Sequence, residues 1–312
     1  MAKIATRIAY GQALAKLGEK NDKVLVFDAD VSTCTMTCYF GEKFPERFFN
    51  CGIQEANMVG MAAGAATCGY TSFVSTFAMF AAGRCYDQIR NSLAYPGLNV
   101  KVVATHAGLT VGEDGATHEC IEDMSLMRTI PEMTVLCPAD PYETEQAVYA
   151  LAEMKGPAYM RLGRLPVDNV TGGEGYKFEI GKAVKLREGK DATIIACGLT
   201  VELALQAAEA LKAEGIDVRV LNMHTIKPID REAIIAAAQE TGLIVTAEEH
   251  NVVGGLGSAV SEVVCEMEKP VRVLKVGVED CFGRSGDALT LLKIYGITAE
   301  NIAKKVREGL GK

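Results

Sequence analysis

Short aliphatic runs alternate with helix-length segments along this chain, and that alternation limits its fold more than any other feature. VLVF (24–27), TSFVST (71–76), VKVVAT (100–105) and residues 133–136 and 158–161 read as strands. Residues 5–19, 55–68, 77–94, 121–129 and 141–154 read as helices. Strand and helix in strict turn predict a mostly parallel sheet covered by helices. The pattern breaks at RLPVDNVTGGEGYKF (164–178), where Pro166, Gly172, Gly173 and Gly175 fall without periodicity. A second α/β unit follows, with strands at 191–197, 216–222, 243–249 and 271–276 and helices at 200–214, 231–240 and 255–267. The expected organisation is therefore two mostly parallel-sheet α/β domains, 1–165 and 179–312, joined by a linker over 166–178. A chain of 312 residues with 49% apolar content can fill two such cores.

Charge and cysteine usage narrow the possible partners. A net charge of −8 with no strongly basic stretch argues against nucleic acid, while leaving room for anionic small substrates that need only a few arginines. The ten cysteines show no CxxC pair, the nearest spacing being CTMTC at Cys34 and Cys38. They are expected to be reduced thiols in a cytoplasmic protein rather than zinc ligands. No apolar run approaches the roughly 18 residues of a membrane span. The N-terminal MAKIATRIAYGQALAKLGEK reads as an ordinary first helix, since it lacks the apolar core and cleavage pattern of a targeting peptide.

Three stretches carry residues suited to chemistry. In NCGIQEANMVGMAAGAA (50–66), Glu55 heads a helical stripe of Met58, Val59, Ala62, Ala63 and Ala66. A carboxylate on a buried stripe must be neutral or paired, so a compensating partner is expected; a simple helix-end carboxylate is the alternative. In STFAMF (75–80), Phe77 and Phe80 fall three apart on one predicted helix face and form either a flat wall for a ring or ordinary core packing. THAGLTVGEDGATHE (105–119) places His106, Asp114 and His118 in a glycine-rich loop after a predicted strand. Ligands collect at the carboxyl ends of parallel strands, and imidazoles suit proton transfer; the alternative is an acidic surface turn. VVGGLGSAV (252–260) is a tight strand-to-helix turn, and the isolated His224 and His250 are structural.

Taken together, GIQEANMVGMAAG, STFAMF, RCYDQIR, THAGLTVGEDGATHE and IPEMTVLCPADP resemble the transketolase family in order and spacing. TIKPID and EDCFGRSGDALTLLKIYGIT resemble its C-terminal domain, so the likeness covers essentially the whole chain. It corresponds to the second half of a full-length transketolase. The GDG…N motif that marks the Mg²⁺ and diphosphate site of thiamine diphosphate is missing, as expected for the C-terminal subunit of a split enzyme.

The resemblance gives Glu55 its partner, N1′ of the cofactor's aminopyrimidine; protonation there promotes loss of the thiazolium proton. An apolar surround is expected to keep that proton available. Phe77 and Phe80 match the aromatic wall of the pyrimidine pocket, with Gly83 where many relatives have tyrosine, and Asp30 matches an aspartate near the thiazolium. His106 matches a histidine beside the reacting carbonyl, Asp114 a carboxylate that binds a donor hydroxyl, and His118 a histidine in proton transfer and phosphate contact. Arg7 and Arg164 match arginines that grip the sugar phosphate, for which a guanidinium fork is well shaped. Cys34 stands where the family has a phosphate-binding serine, so Thr33 or Thr35 is expected to substitute, or phosphate binding to weaken.

The implied activity is transfer of a two-carbon ketol unit from a ketose phosphate to an aldose phosphate, as in the pentose phosphate pathway. It requires thiamine diphosphate, Mg²⁺ held by a complementary subunit, and an α₂β₂ assembly. Deoxyxylulose-phosphate synthases, 2-oxo-acid dehydrogenase beta subunits and a catalytically silent binding subunit are the alternatives.

Overall fold

The computed structural model describes residues 3–173 and 175–312. In the first unit, β1 (Ile4–Ala5) leads into α1 (Thr6–Lys20), which buries Ala9, Tyr10, Ala13, Leu14 and Leu17 at helical spacing. β2 (Val24–Asp28), α2 (Ser32–Thr35), α3 (Cys38–Lys43) and β3 (Phe48–Asn50) lead to α4 (Glu55–Thr67). β4 (Thr71–Phe77) is joined to β5 (Val100–Thr105) by a wide helical segment enclosing α5 (Tyr86–Gln88). After the loop come α6 (Asp123–Arg128), β6 (Thr134–Leu136), α7 (Pro141–Glu153), β7 (Ala158–Arg161) and β8 (Pro166–Val167).

The second unit contains β9 (Val184–Arg187), β10 (Ala192–Ala196), α8 (Thr200–Ala213), β11 (Val218–Asn222) and β12 (Thr225–Lys227). It ends with α9 (Arg231–Thr241), β13 (Leu243–Asn251), α10 (Leu256–Cys265), β14 (Arg272–Val278), α11 (Ala288–Ile294) and α12 (Ala299–Leu310).

The first sheet has seven strands in the order β12-β6-β7-β5-β4-β2-β3, the second five in the order β14-β13-β10-β11-β9. Each is parallel apart from one antiparallel edge strand, β12 on β6 and β9 on β11. The expected mostly parallel architecture is present. The two edge strands are departures from it: neither VKLR nor TIK holds an aliphatic run, and pairing with a neighbour defines them. Because β12 completes the first sheet, the later half of the chain is built into the earlier one. A continuous core joins them, running from Phe27, Met58 and Val74 to Ile195, Leu221 and Val260.

One reading of the sequence needs correction. Phe77 does not begin a helix; it is the last residue of β4, paired in register with Thr105 of β5. The segment after it is not a regular α-helix, because Met79–Arg84 and Ile89–Ala94 form wide, π-type turns on either side of α5. The stretch read as a linker begins with residues bonded to the first unit. Pro166 and Val167 pair with Ala5 and Ile4, and Asp140 accepts bonds from Val170 N (2.8 Å) and from Thr171 N and Oγ1 (2.6 and 2.8 Å).

This topology positions the site. β7, β5, β4 and β2 are consecutive neighbours, and their carboxyl ends deliver Arg164, His106, Phe77 and Asp30 to one edge of the sheet.

Candidate active site

Glu55 is the first residue of α4 and is 3% exposed, above a stripe in which Met58, Val59, Ala62 and Ala63 are buried and Ala66 half-buried. Its position in the first turn suits a negative charge. The compensating partner is Arg84, whose Nη1 donates to Glu55 Oε1 at 2.7 Å. The wholly apolar surround expected for this carboxylate is therefore breached by a cation. The Arg84 guanidinium also lies 4.6 Å from the centre of the Phe80 ring.

Phe77 and Phe80 stack with centroids 5.9 Å apart and planes 17° apart. They meet across the end of β4 and the wide turn rather than along one helix face. His106 lies 4.1 Å from Phe77, and His118 packs edge-on to Phe80 at 5.3 Å. Four rings expected from two separate motifs thus form one array. A Cβ at Gly83 would collide with the terminal methyl of Met79, so Met79 fills the space beside that backbone.

His106 is 4% exposed, with φ +55°, and its Nδ1 shares a hydrogen bond with Thr105 Oγ1 at 2.8 Å. Burial, then Arg7, Arg164 and His118, push its pKa down to about 3, which leaves a neutral imidazole at ordinary pH. It can donate or accept a hydrogen bond there, but it does not carry a proton as an imidazolium. His118 is half-buried, and its Nδ1 lies 3.0 Å from Thr117 Oγ1. Asp114 ends the 3₁₀ turn Leu109–Asp114 and is exposed. Asp30 is exposed, with φ +65°, and accepts from Asn50 Nδ2 at 2.8 Å. A positive φ at two non-glycine site residues is the kind of backbone strain that a folded surround has to hold in place.

Arg7, on α1, donates from Nη1 to Cys34 O at 2.7 Å, while its buried Nε has no partner among the described residues. Burial, reinforced by nearby Arg164, lowers its pKa. Arg164 donates to Val111 O and lies 3.4 Å from Glu113, which ties it to the glycine-rich loop. Arg7, Arg164 and His106 are therefore electrostatic neighbours. Thr35 is not free to replace a serine at Cys34: it is fully buried and donates to Asp28 Oδ2 at 2.7 Å, as Thr37 does at 2.8 Å. Thr33 is exposed.

The pyrimidine-binding domain model of transketolase matches residues 2–168, and the transketolase C-terminal domain model matches 181–302. The chain belongs to the transketolase family. It is 49% identical to a candidate transketolase C-terminal section from Methanocaldococcus jannaschii, over 98% of this chain and 96% of that one. A split-gene transketolase, solved as an inactive beta4 tetramer, superposes with a TM-score of 0.91 at 50% identity, over 99% of both chains. Against human transketolase it is 41% identical over 98% of its own length but spans only 49% of the human chain.

Several residues that shape this transketolase-family site are not apparent in the sequence. Asp28 anchors the turn carrying Asp30 through Val31 N (2.7 Å) and the two threonines. Glu249, from β13, accepts from Thr110 N at 2.6 Å and so holds the glycine-rich loop from beneath. Gly108 is required there, because a Cβ would run into the Glu249 carboxylate and φ is +83°. Buried Arg161 bonds Asp123 at 3.0 Å and Glu249 O at 2.7 Å, bracing the far end of the loop. Arg84 had one visible signal, a lone charge closing the apolar run FAMFAAGR. His224 is buried against Phe178 at 4.4 Å, and His250 is bonded to Asn251 O at 2.7 Å. No group of three or more His, Cys, Asp or Glu side chains that could hold a metal ion occurs among the described residues. No described helix is long and apolar enough to cross a membrane.

Proposed function

We propose that this chain supplies the pyrimidine-binding side of a thiamine diphosphate-dependent transketolase and acts with a complementary subunit that holds the diphosphate and Mg²⁺. The observation that carries this reading is a buried carboxylate, Glu55, linked through Arg84 to the stacked rings of Phe77 and Phe80. A carboxyl that can hold a proton and a flat aromatic wall are what an aminopyrimidine ring needs, so the residues present fit that part of the cofactor.

Thiamine diphosphate, when bound, supplies the carbon nucleophile that carries the two-carbon unit. In this reading Glu55 holds the proton shared with N1′, and Phe77 and Phe80 fix the plane of the ring. Asp30 would face the thiazolium part of the cofactor. His106, neutral in its buried setting, hydrogen-bonds the oxygen of the reacting carbonyl, and Asp114 binds a donor hydroxyl. His118 moves a proton near the same oxygens. Arg7 and Arg164 grip the anionic end of a sugar phosphate, and the unpartnered Nε of Arg7 supports that role. The exposed Thr33 is the hydroxyl left to stand in for the missing serine.

The domain division at 166–178, an α₂β₂ assembly, a cytoplasmic setting and a place in pentose phosphate metabolism belong to the same reading. The split-gene relative solved as an inactive beta4 tetramer supports a chain that needs a partner. The ten free thiols fit a reducing compartment.

The test is reconstitution with the complementary subunit. Ketol transfer from a ketose phosphate to an aldose phosphate is expected from the pair and from neither chain alone. Glu55→Gln should lower kcat by at least about a hundredfold, the scale of a lost proton-transfer group. Full activity in that variant, or turnover of pyruvate in place of a ketose phosphate, would overturn the reading.

A further inference from the structure

Arg84 touches both features that the proposed function assigns to the cofactor's ring. Its Nη1 donates to Glu55 at 2.7 Å, and its guanidinium lies 4.6 Å from the centre of Phe80. A guanidinium is planar, cationic and rich in N–H donors, and it packs readily against aromatic faces. Those are the properties of a protonated aminopyrimidine. The two partners of the ion pair differ in freedom: the Arg84 side chain is 51% exposed and that of Glu55 only 4%. Arg84 can swing into solvent, whereas Glu55 is held in the first turn of α4 above its buried stripe. Nor is Arg84 fastened elsewhere in the way that Arg161 is, with its three buried partners.

We propose that Arg84 is an internal placeholder for the aminopyrimidine ring: it pairs with Glu55 and covers Phe80, and it is displaced when the cofactor enters. This inference rests on the functional reading above. It assigns a positioning role to a residue outside the proton-transfer machinery. While Arg84 holds Glu55 and covers Phe80, the ring's place is taken. Once Arg84 leaves, Glu55 Oε1 is free to share a hydrogen bond with the ring nitrogen. No covalent bond is made or broken in the exchange; a hydrogen bond to the ring nitrogen replaces the one to Arg84 on the same oxygen.

Two measurements test this. In the chain alone, thermal unfolding of wild type, Arg84→Gln, Glu55→Gln and the double variant forms a cycle. Arg84→Gln is expected to lower the midpoint in the wild-type background and to have little effect beside Glu55→Gln. Equal losses in both backgrounds would overturn the pairing. In the assembled enzyme, calorimetric titration with thiamine diphosphate reads the displacement. A competitor that occupies the site taxes apparent affinity, so Arg84→Gln should bind tighter, by up to about tenfold. Unchanged or weaker binding, with normal uptake by wild type, removes the placeholder and leaves the functional reading standing. A wild-type assembly that takes up no thiamine diphosphate overturns that reading and the placeholder with it, while the unfolding cycle still decides the ion pair.

Discussion

His106 sits against Phe77 with Arg7, Arg164 and His118 nearby, and those surroundings hold its imidazole neutral by pushing its pKa down to about 3. The unfolded chain takes up this proton near 6.5. Between those values the native state binds fewer protons, so the stability contributed by His106 is complete above 6.5 and drains away as pH falls toward 3. Its ring carbon resonance, assigned by loss in His106→Gln, should stay flat in NMR titrations from about pH 5 to 8; a midpoint near the free value would contradict the buried setting. Its place after a predicted strand was legible in the sequence. Its charge state was not, because Arg7 and Arg164 reach it from α1 and from beyond β7. The same holds at Glu55: spacing along one helix exposed its burial, but its partner stands 29 residues away. Thr35 shows the limit from the other side, since its hydroxyl reads as available in the sequence while Asp28 holds it in the fold.

At the scale of elements, the connection from β4 to β5 decides the shape of the aromatic wall. Apolar spacing over 77–94 reads as a helix, yet β4 keeps Phe77 through its pairing with Thr105, and the helical turns that follow open wider than α. The departure puts Phe80 on Phe77 and Arg84 on Glu55. Met79 lies over Gly83 in that turn, so Gly83→Tyr should cost about 1–3 kcal/mol through overpacking. Shortening Met79 to Ala in the same chain should recover much of that loss in urea unfolding. If the single variant is as stable as wild type, Met79 moves freely and the turn is looser than described. The short elements β3, β9 and β12 escaped the sequence reading because each is an edge strand without an aliphatic run, and only pairing with a neighbour makes it a strand.

For the whole molecule, the two sheets are joined by β12, by a shared apolar core and by a buried polar brace. The brace centres on Asp123, which accepts from Arg161 Nε at 3.0 Å and from Tyr159 Oη at 2.8 Å, while Arg161 reaches Glu249 O on β13. Asp123→Asn leaves the Arg161 charge buried without its counter-ion and should cost about 3–5 kcal/mol in denaturant unfolding of the full chain. A loss below about 1 kcal/mol would mean that the brace is replaceable. The sequence by itself determined the order of the main strands and helices, the two α/β units and the residues grouped at the strand ends. These are legible because periodicity and turn chemistry act over a few neighbouring residues. The tertiary structure alone decided that Arg84 answers Glu55, that four rings meet, that His106 is neutral and that the later half of the chain completes the earlier sheet. Each of those depends on burial and on distances between residues far apart in the chain, and no local pattern records them.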